Sequence, residues 1–296
     1  MKRKLTASLA FFLLLAFSGT VWSANDKALF WKLETKRATV YLFGSIHLAD
    51  KSFYPLRPEV EKAFASADAL AVEADILNID AVQEQRLLFQ YGMYPAGERL
   101  TDHISQATLQ SLESALVKHG VPLPETMYTR MRPGTLMVTL GYLMAAQSGL
   151  DASYGLDLHF LRQATENNKQ ILELEGSEQL MQLMASLGPA DFLIQETIGQ
   201  LDEASEMMAP MVEAWKQGDE KTLEKIAVDS MDSGSKESKA LVDAFLYDRN
   251  HGMVEKIEGY IAKGGTYFVV AGSAHFVGDE GVPELLKKAG YSVERR

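Results

Sequence analysis

Short apolar strands that alternate with helical patterns constrain the fold of this chain more than any other feature of its sequence. The clearest strand is Thr266–Ala271, and Ala38–Phe43 is rich in β-branched and aromatic residues. Such strands are typical of a sheet covered on both faces, and their alternation with helices favours parallel pairing. The sequence therefore predicts an α/β fold with a mostly parallel central sheet flanked by helices, with strands at residues 38–43, 69–73, 169–175, 266–271 and 291–294.

The helical patterns are distributed unevenly along the chain. Two long stretches, about 79–148 and about 178–262, carry helical patterns and almost no strand signal, and the second includes a predicted continuous helix over Ser238–Lys263. We interpret both as large helical insertions in a single domain over residues 24–296, because no Gly/Ser-rich or Pro-rich linker divides the chain. The core of that domain is expected to comprise residues of about 26–78, 149–177 and 264–296.

The N-terminal 23 residues have the three-part layout of a secretory signal peptide. Basic residues at positions 2–4 precede the apolar run Leu9–Phe17, and a small-x-small pattern ends at Ser23. An uncleaved membrane anchor is the alternative, although a spanning helix needs about 20 apolar residues. No later segment has a transmembrane pattern, so we expect no stable membrane span after cleavage of residues 1–23.

The charge and the cysteine content limit the classes of function. The formal net charge is −11, and loss of the signal peptide removes three positive and no negative charges, which makes it −14. So acidic a surface repels nucleic acid, and we expect no nucleic-acid partner. The chain has no cysteine, which fits an exported protein of the bacterial periplasm better than a eukaryotic secreted domain with disulfides.

Two matching turns follow two of the predicted strands. They read Gly44-Ser45-Ile46-His47 and Gly272-Ser273-Ala274-His275. Ligands of open α/β sheets bind at the carboxyl ends of the strands, and glycine allows a sharp turn there. If the two strands are neighbours, the two imidazoles converge on one site. The alternative is that each histidine only caps its own strand by bonding a backbone carbonyl.

Glu73 closes a third predicted strand and is expected to reach the same edge, unless it is only a solvated strand boundary. Two histidines and a carboxylate are a common ligand set for a catalytic divalent metal. The same residues can also act without metal, with the carboxylate orienting a histidine for acid–base or nucleophilic chemistry. His47, His275 and Glu73 are therefore candidates both for metal binding and for catalysis.

At these residues the chain resembles the TraB/GumN family, which includes pheromone-shutdown proteins and the TIKI proteins. The resemblance covers nearly the whole chain after the signal peptide. Its motifs are Gly44–His47, Val72–Glu73, Tyr154–Asp157, Leu174–Glu175 followed by Gln179, Arg249–Asn250 and Gly272–His275.

This resemblance implies an α/β fold related to the erythromycin esterase and ChaN groups. It also implies a metal-dependent peptidase that uses manganese or cobalt, with zinc possible as well. Carried over residue by residue, it makes His47, His275 and Glu73 the first site candidates. It adds Glu175 as a further catalytic carboxylate, Asp157 as a further acidic metal ligand and Arg249 as a catalytic electrostatic partner. From the residues alone, Asp157 could instead interact with a helix dipole, and Arg249 could form a surface salt bridge.

The leading functional hypothesis is an exported metal-dependent hydrolase that cleaves peptides or proteins. A metal ion on His47, His275 and a carboxylate would activate water, Glu73 or Glu175 would take the proton, and Arg249 would stabilise the oxyanion. The alternatives are a protein that sequesters a peptide or small ligand, and a metal-free His/Glu esterase. A Ser–His triad at Ser45 or Ser273 is disfavoured because no G-x-S-x-G motif is present. The remaining histidines are interpreted as surface or core residues, namely His103, His119, His159 and His251.

Overall fold

A six-stranded sheet lies at the centre of residues 27–296, the part of the chain that this computed structural model describes. The predicted signal peptide, residues 1–23, lies outside the described residues. The order of the strands across the sheet is β4-β3-β5-β2-β1-β6. In chain order the strands are β1 (Leu29–Glu34), β2 (Ala38–Ser45), β3 (Ala69–Val72), β4 (Gln170–Glu173), β5 (Gly265–Gly272) and β6 (Val293–Arg295).

The four strands from β4 to β2 in that order are parallel to one another, whereas β1 pairs antiparallel with both β2 and β6. The predicted class, α/β with a mostly parallel sheet, is therefore confirmed. Strand β1 was not predicted. It forms a hairpin with β2 through a tight turn in which the Thr35 hydroxyl accepts a hydrogen bond from the Ala38 amide.

Twelve α-helices surround the sheet or extend from it within residues 27–296. In chain order they are α1 (Pro58–Ser66), α2 (Ala81–Leu87), α3 (Gln106–Lys118), α4 (Glu125–Tyr128), α5 (Pro133–Gln147), α6 (Leu156–Glu166), α7 (Ser177–Ser186), α8 (Ala190–Gln217), α9 (Glu220–Asp229), α10 (Lys236–Val242), α11 (Asp248–Lys263) and α12 (Val282–Lys288). None of the described helices is long and apolar enough to cross a bilayer.

The helix predicted over Ser238–Lys263 is interrupted in the structure. Between α10 and α11 the backbone forms a π-helical turn at Asp243–Tyr247. A π-turn adds one residue to a helical turn and so rotates the side chains that follow it about the helix axis. The α11 side chains that face the sheet are therefore different from those that a continuous helix would place there. Periodicity at 3.6 residues per turn does not distinguish the two, and this explains why the sequence predicted one helix.

The main core lies on both faces of the sheet, as nearly continuous apolar strands require. Phe43 and Phe268 on adjacent strands are fully buried, and Phe160 of α6 packs on both of them. A second apolar cluster joins α3, α5 and α8 away from the sheet. The two parts of the structure are connected at Trp215 of α8, whose indole Nε1 donates to the Gly44 carbonyl over 2.8 Å.

Candidate active site

The two Gly-Ser-x-His turns lie side by side at one edge of the sheet. Strands β2 and β5 are parallel neighbours, and Ser45 is in register with Gly272. The following residues of both strands therefore leave the sheet at the same level, and the Ser273 hydroxyl donates to the Ser45 carbonyl over 2.7 Å. The structure thus brings the two predicted histidine turns together.

Glu73, just after β3, lies between the two imidazoles. His47 Nε2 is 3.6 Å from its Oε1, and His275 Nε2 is 3.8 Å from its Oε2. The Gly272 amide also donates to Oε1 over 2.7 Å. Burial alone would raise the pKa of Glu73, but the neighbouring His275, His47 and Arg249, together with the hydrogen bond from the Gly272 amide, lower it to about 2. Glu73 is therefore an ionised, buried carboxylate and not a solvated strand boundary.

His47 is held by Asp157. Its Nδ1 lies 2.9 Å from Asp157 Oδ1, and 46% of its side chain is exposed. Burial lowers the pKa of His47, but Asp157 and Glu73 together outweigh it and raise the pKa to about 9. Two glycines make this arrangement possible. A Cβ on Gly155 would lie 2.3 Å from the His47 carbonyl oxygen, and one on Gly272 would lie 3.1 Å from His47 Nε2.

His275 has a different partner and a different environment. It is buried, and its Nδ1 lies 2.6 Å from Asn250 Oδ1. Asn250 Nδ2 donates to the Glu280 carbonyl, which turns Oδ1 toward the ring and makes His275 Nδ1 the donor. Burial is the main reason that the pKa of His275 falls to about 3. His275 is therefore neutral, with the Nε2 lone pair directed toward Glu73.

Arg249 joins Glu73 to Glu175 below the histidines. Its Nη2 donates to Glu73 Oε2 over 2.5 Å and to Glu175 Oε2 over 2.7 Å, and its Nε donates to Glu175 Oε1 over 2.8 Å. Only 8% of the Arg249 side chain and 3% of the Glu175 side chain are exposed. Arg249 is thus part of a buried ion-pair network, and the alternative of a surface salt bridge is wrong.

The chemistry of this cluster suits a divalent cation in two respects. Glu73 and Glu175 contact the Arg249 guanidinium and Asp157 contacts His47, so three negative charges face two positive ones and the formal charge is −1 while His47 is protonated. Both imidazoles also have Nδ1 bound to an acceptor, the usual arrangement of metal-ligating histidines. The distances between the possible ligand atoms, however, are not those of a formed metal site. Among residues 27–296, no three His, Asp or Glu side chains form a group that could hold a metal ion.

Sequence comparison identifies the family to which this site belongs. Residues 29–295 match the TraB/PrgY/gumN family. The chain belongs to that family. It is also 25% identical over 248 residues to the uncharacterized protein YbaP of Escherichia coli strain K12, which covers 83% of this chain and 87% of the relative. YbaP of Shigella flexneri matches to the same extent. No solved structure matches the chain.

Asn250 is the residue of this TraB/PrgY/gumN site that sequence reasoning missed. The Arg249–Asn250 motif predicts a site role for the arginine only. Asn250 is buried beside Arg249 in α11 and therefore needs a partner, but this burial cannot be seen in the sequence. The Ser45 hydroxyl is a second feature that the sequence does not predict, since it is buried and has no hydrogen-bond partner among the described residues.

A cavity of about 730 Å³ opens over this edge of the sheet. Its floor is formed by the turns after β2 and β5, and α5, α7, α8 and α9 supply most of its walls. The charged side chains that line it are those of the site, namely His47, Glu73, Asp157, Arg249 and His275. In this TraB/PrgY/gumN protein, the helical segments thus enclose space directly above the paired turns.

The remaining histidines pair with carboxylates outside this cluster. His103 contacts Glu98 and stacks on Tyr94, and His119 contacts Asp202. The last two pairs are His159 with Glu61 and His251 with Glu280. None of these four histidines lines the cavity.

Proposed function

We propose that this protein is a metal-dependent hydrolase whose active site is the edge where β2, β3 and β5 end, with peptide bonds as the first substrates to test. The observation that carries the proposal is that two anchored imidazoles each direct Nε2 toward a different oxygen of Glu73. The excess of carboxylates over positive side chains in the cluster supports a cation there. Export to the periplasm is part of this proposal and rests on residues 1–23.

His47, His275 and Glu73 are the residues that would hold the ion, with manganese, cobalt and zinc as candidates. A bound divalent ion lowers the pKa of a water molecule to about 7 and polarises a substrate carbonyl. Asp157 holds the His47 ring through Nδ1, and Asn250 does the same for His275. The Nε2 of neutral His275 is free to bind a cation, whereas a cation on His47 would have to displace the Nε2 proton that Asp157 and Glu73 stabilise. Glu73 is the carboxylate placed to accept a proton from water at this edge.

Arg249 has a positioning role in this proposal. Its guanidinium donates to both oxygens of Glu175, to Glu73 and to the Phe245 carbonyl, so at least four of its five N–H donors are engaged. It therefore holds Glu73 ionised and oriented, and it has little capacity left to bind an oxyanion. The Ser45 hydroxyl at the same edge is buried and has no hydrogen-bond partner among residues 27–296.

The test combines metal binding with product analysis. Purified protein is titrated calorimetrically with Mn²⁺, Co²⁺ or Zn²⁺, and peptide mixtures incubated with it are analysed by mass spectrometry. We expect His47→Ala and His275→Ala to lose metal binding and cleavage together while remaining folded. His103→Ala, a histidine outside the site, is the matched control and should retain both. Normal metal binding and cleavage by either site variant would refute the proposal.

A metal-free hydrolase is the second candidate, favoured by the close Arg249–Glu73 pair and by the absence of a formed metal-ligand group among residues 27–296. In that case protonated His47 would donate to the leaving group, and Glu73 would accept the proton of water. Cleavage that survives exhaustive chelation supports this candidate. Peptide that is retained without product under every metal condition indicates a sequestering protein instead.

A further inference from the structure

The cavity above the site has two chemically distinct ends. Its charged lining residues all lie at the sheet edge, and the rest of its wall is apolar and rich in methionine. Eight methionines line it, and they are flexible side chains that adapt to ligands of varied shape. Such a division suits a ligand with one polar end and one long apolar end. The six lining residues that best define the apolar end are Met137, Met144, Met184, Met208, Leu201 and Ala204.

The polar groups in the apolar wall already have partners. Thr197 donates to the Leu193 carbonyl, Gln200 to the Ser230 carbonyl and Ser230 to the Ala227 carbonyl. The Thr197 and Ser230 hydroxyl donors are thus engaged, and only the second N–H of the Gln200 amide is left among these groups for the carbonyls of a peptide. Because an unpaired buried amide weakens binding, the inner wall disfavours a peptide backbone and favours a hydrocarbon chain.

The mouth of the cavity is apolar as well. Ile76, Val138 and Tyr142 line it and are 53%, 37% and 45% exposed. Exposed large apolar residues continuous with a binding cavity mark a place where an apolar ligand enters. The same three residues can therefore receive a hydrocarbon chain before it passes inward to the methionines.

We propose that the substrate is a fatty-acyl ester or amide, with its hydrocarbon chain in the methionine-lined cavity and its carbonyl at the His47–His275 edge. This inference rests on the hydrolase function proposed above and defines its substrate class. In the reaction, the water oxygen bonds to the acyl carbon, and the bond from that carbon to the leaving oxygen or nitrogen breaks. The leaving group takes a proton from water, and the products are a fatty acid and an alcohol or amine.

The experiment uses p-nitrophenyl esters from acetyl to palmitoyl and, independently of activity, the fluorescence of dansyl-undecanoic acid as a chain-binding probe. We expect kcat/KM to rise about two- to fourfold for each added methylene over the medium chain lengths, as expected for burial of CH₂ groups. The probe is expected to bind and to be displaced by fatty acids but not by apolar peptides.

Gly141 of α5 provides the test variant. It is an exposed residue that lines the cavity, and a Cβ there would meet no atom within 4 Å, so Gly141→Trp adds bulk at the cavity wall without a clash at Cβ. Gly199→Trp is the matched control, since Gly199 is an exposed α8 residue with equally open space that does not line the cavity. We expect Gly141→Trp to remove the chain-length gain and weaken probe binding at least tenfold, and Gly199→Trp to resemble the parent.

The possible outcomes separate this inference from the proposed function. Hydrolysis of acetyl esters or peptides with no chain-length gain and no probe binding overturns the inference and leaves the hydrolase intact. Probe binding that depends on Gly141 without hydrolysis of any ester or peptide supports the acyl-binding cavity and refutes the hydrolase. Displacement of the probe by an apolar peptide in preference to fatty acids overturns the acyl proposal in favour of a peptide ligand.

Discussion

The two Gly-Ser-x-His turns share a sequence pattern and a position at the end of a parallel strand, yet they give their histidines opposite charge states. His47 is half exposed, bonded to the carboxylate of Asp157, and its pKa is raised to about 9. His275 is buried, bonded to the amide of Asn250, and its pKa is lowered to about 3. The turn fixes where each imidazole lies, whereas the group that faces Nδ1 and the extent of burial decide its protonation.

This difference shows that the second turn is not a duplicate of the first. Without a metal, the two imidazoles share Glu73, and the proton resides on His47 because Asp157 supplies the extra negative charge. Substitution of Asp157 or Asn250, which differ between the two turns, should make the turns alike. Substitution of Glu73 should remove the partner that they share.

The largest effect is expected from Glu73→Gln, which removes the common partner of both turns. We expect kcat/KM to fall by at least about 10³-fold, as removal of a catalytic charge commonly does. Breaking one buried charge pair should also cost about 3 kcal/mol in the free energy of unfolding. Kinetics and urea denaturation measure the two effects. Glu166→Gln, on an exposed part of α6, is the control, and an active, fully stable Glu73→Gln would contradict the site.

Asn250→Asp makes the second turn resemble the first. A carboxylate facing His275 Nδ1 should raise the pKa of that imidazole well above 3, by direct charge–charge attraction. The Glu280 carbonyl loses its donor, which should cost about 1–3 kcal/mol of stability. Histidine Cε1–H signals followed by NMR against pH give the result. A pKa of His275 that does not change would show that burial alone controls it.

Asp157→Asn makes the first turn resemble the second. Loss of the negative charge should bring the pKa of His47 down from about 9 toward its ordinary value of 6.5. We expect hydrolysis to fall by about 10-fold, because the amide still positions the ring and only the electrostatic support is lost. The same NMR titration applies, and a His47 pKa that stays near 9 would indicate that Glu73 alone supports the proton.

In metal-free protein, the free energy of unfolding should depend on pH through the titration of both His47 and His275. The fold raises the pKa of His47, so its stabilising contribution is complete below pH 6.5 and is lost as the pH rises through about 9. The fold lowers the pKa of His275, so its contribution is complete above pH 6.5 and is lost as the pH falls through about 3. Urea denaturation from pH 4 to 9 should show His47→Gln flattening the alkaline side only.

The smallest effect is expected from the serines of the two turns. The Ser273 hydroxyl donates to the Ser45 carbonyl, so Ser273→Ala should cost about 1 kcal/mol of stability. The Ser45 hydroxyl is buried with no partner among residues 27–296, so Ser45→Ala should be neutral or stabilising by up to about 1 kcal/mol. Thermal denaturation compares them, and a large loss in Ser45→Ala would mean that this hydroxyl has a partner when the protein is in solution.

The features of the structure that depend on local sequence patterns could be predicted from the sequence. The two turns were found because each combines an apolar strand with the same four residues, and parallel strands end at a common edge. Strand β1 was not predicted because it pairs antiparallel with β2 in a hairpin, whereas the sequence pattern favours strands that are separated by helices. The role of Asn250 and the shape of the cavity depend on how helices distant in the chain pack together, which residue periodicity does not encode.

Strand β5 is the next-to-last strand in the chain but lies in the middle of the sheet, between β3 and β2. A chain that ends before residue 265 can form only two separate strand pairs, β1 with β2 and β3 with β4, each with an unprotected apolar edge. Both edges are covered when β5 inserts, and this same event delivers His275 to His47. A prematurely terminated chain therefore has neither a continuous sheet nor a partly working site, and its open edges make it prone to aggregate.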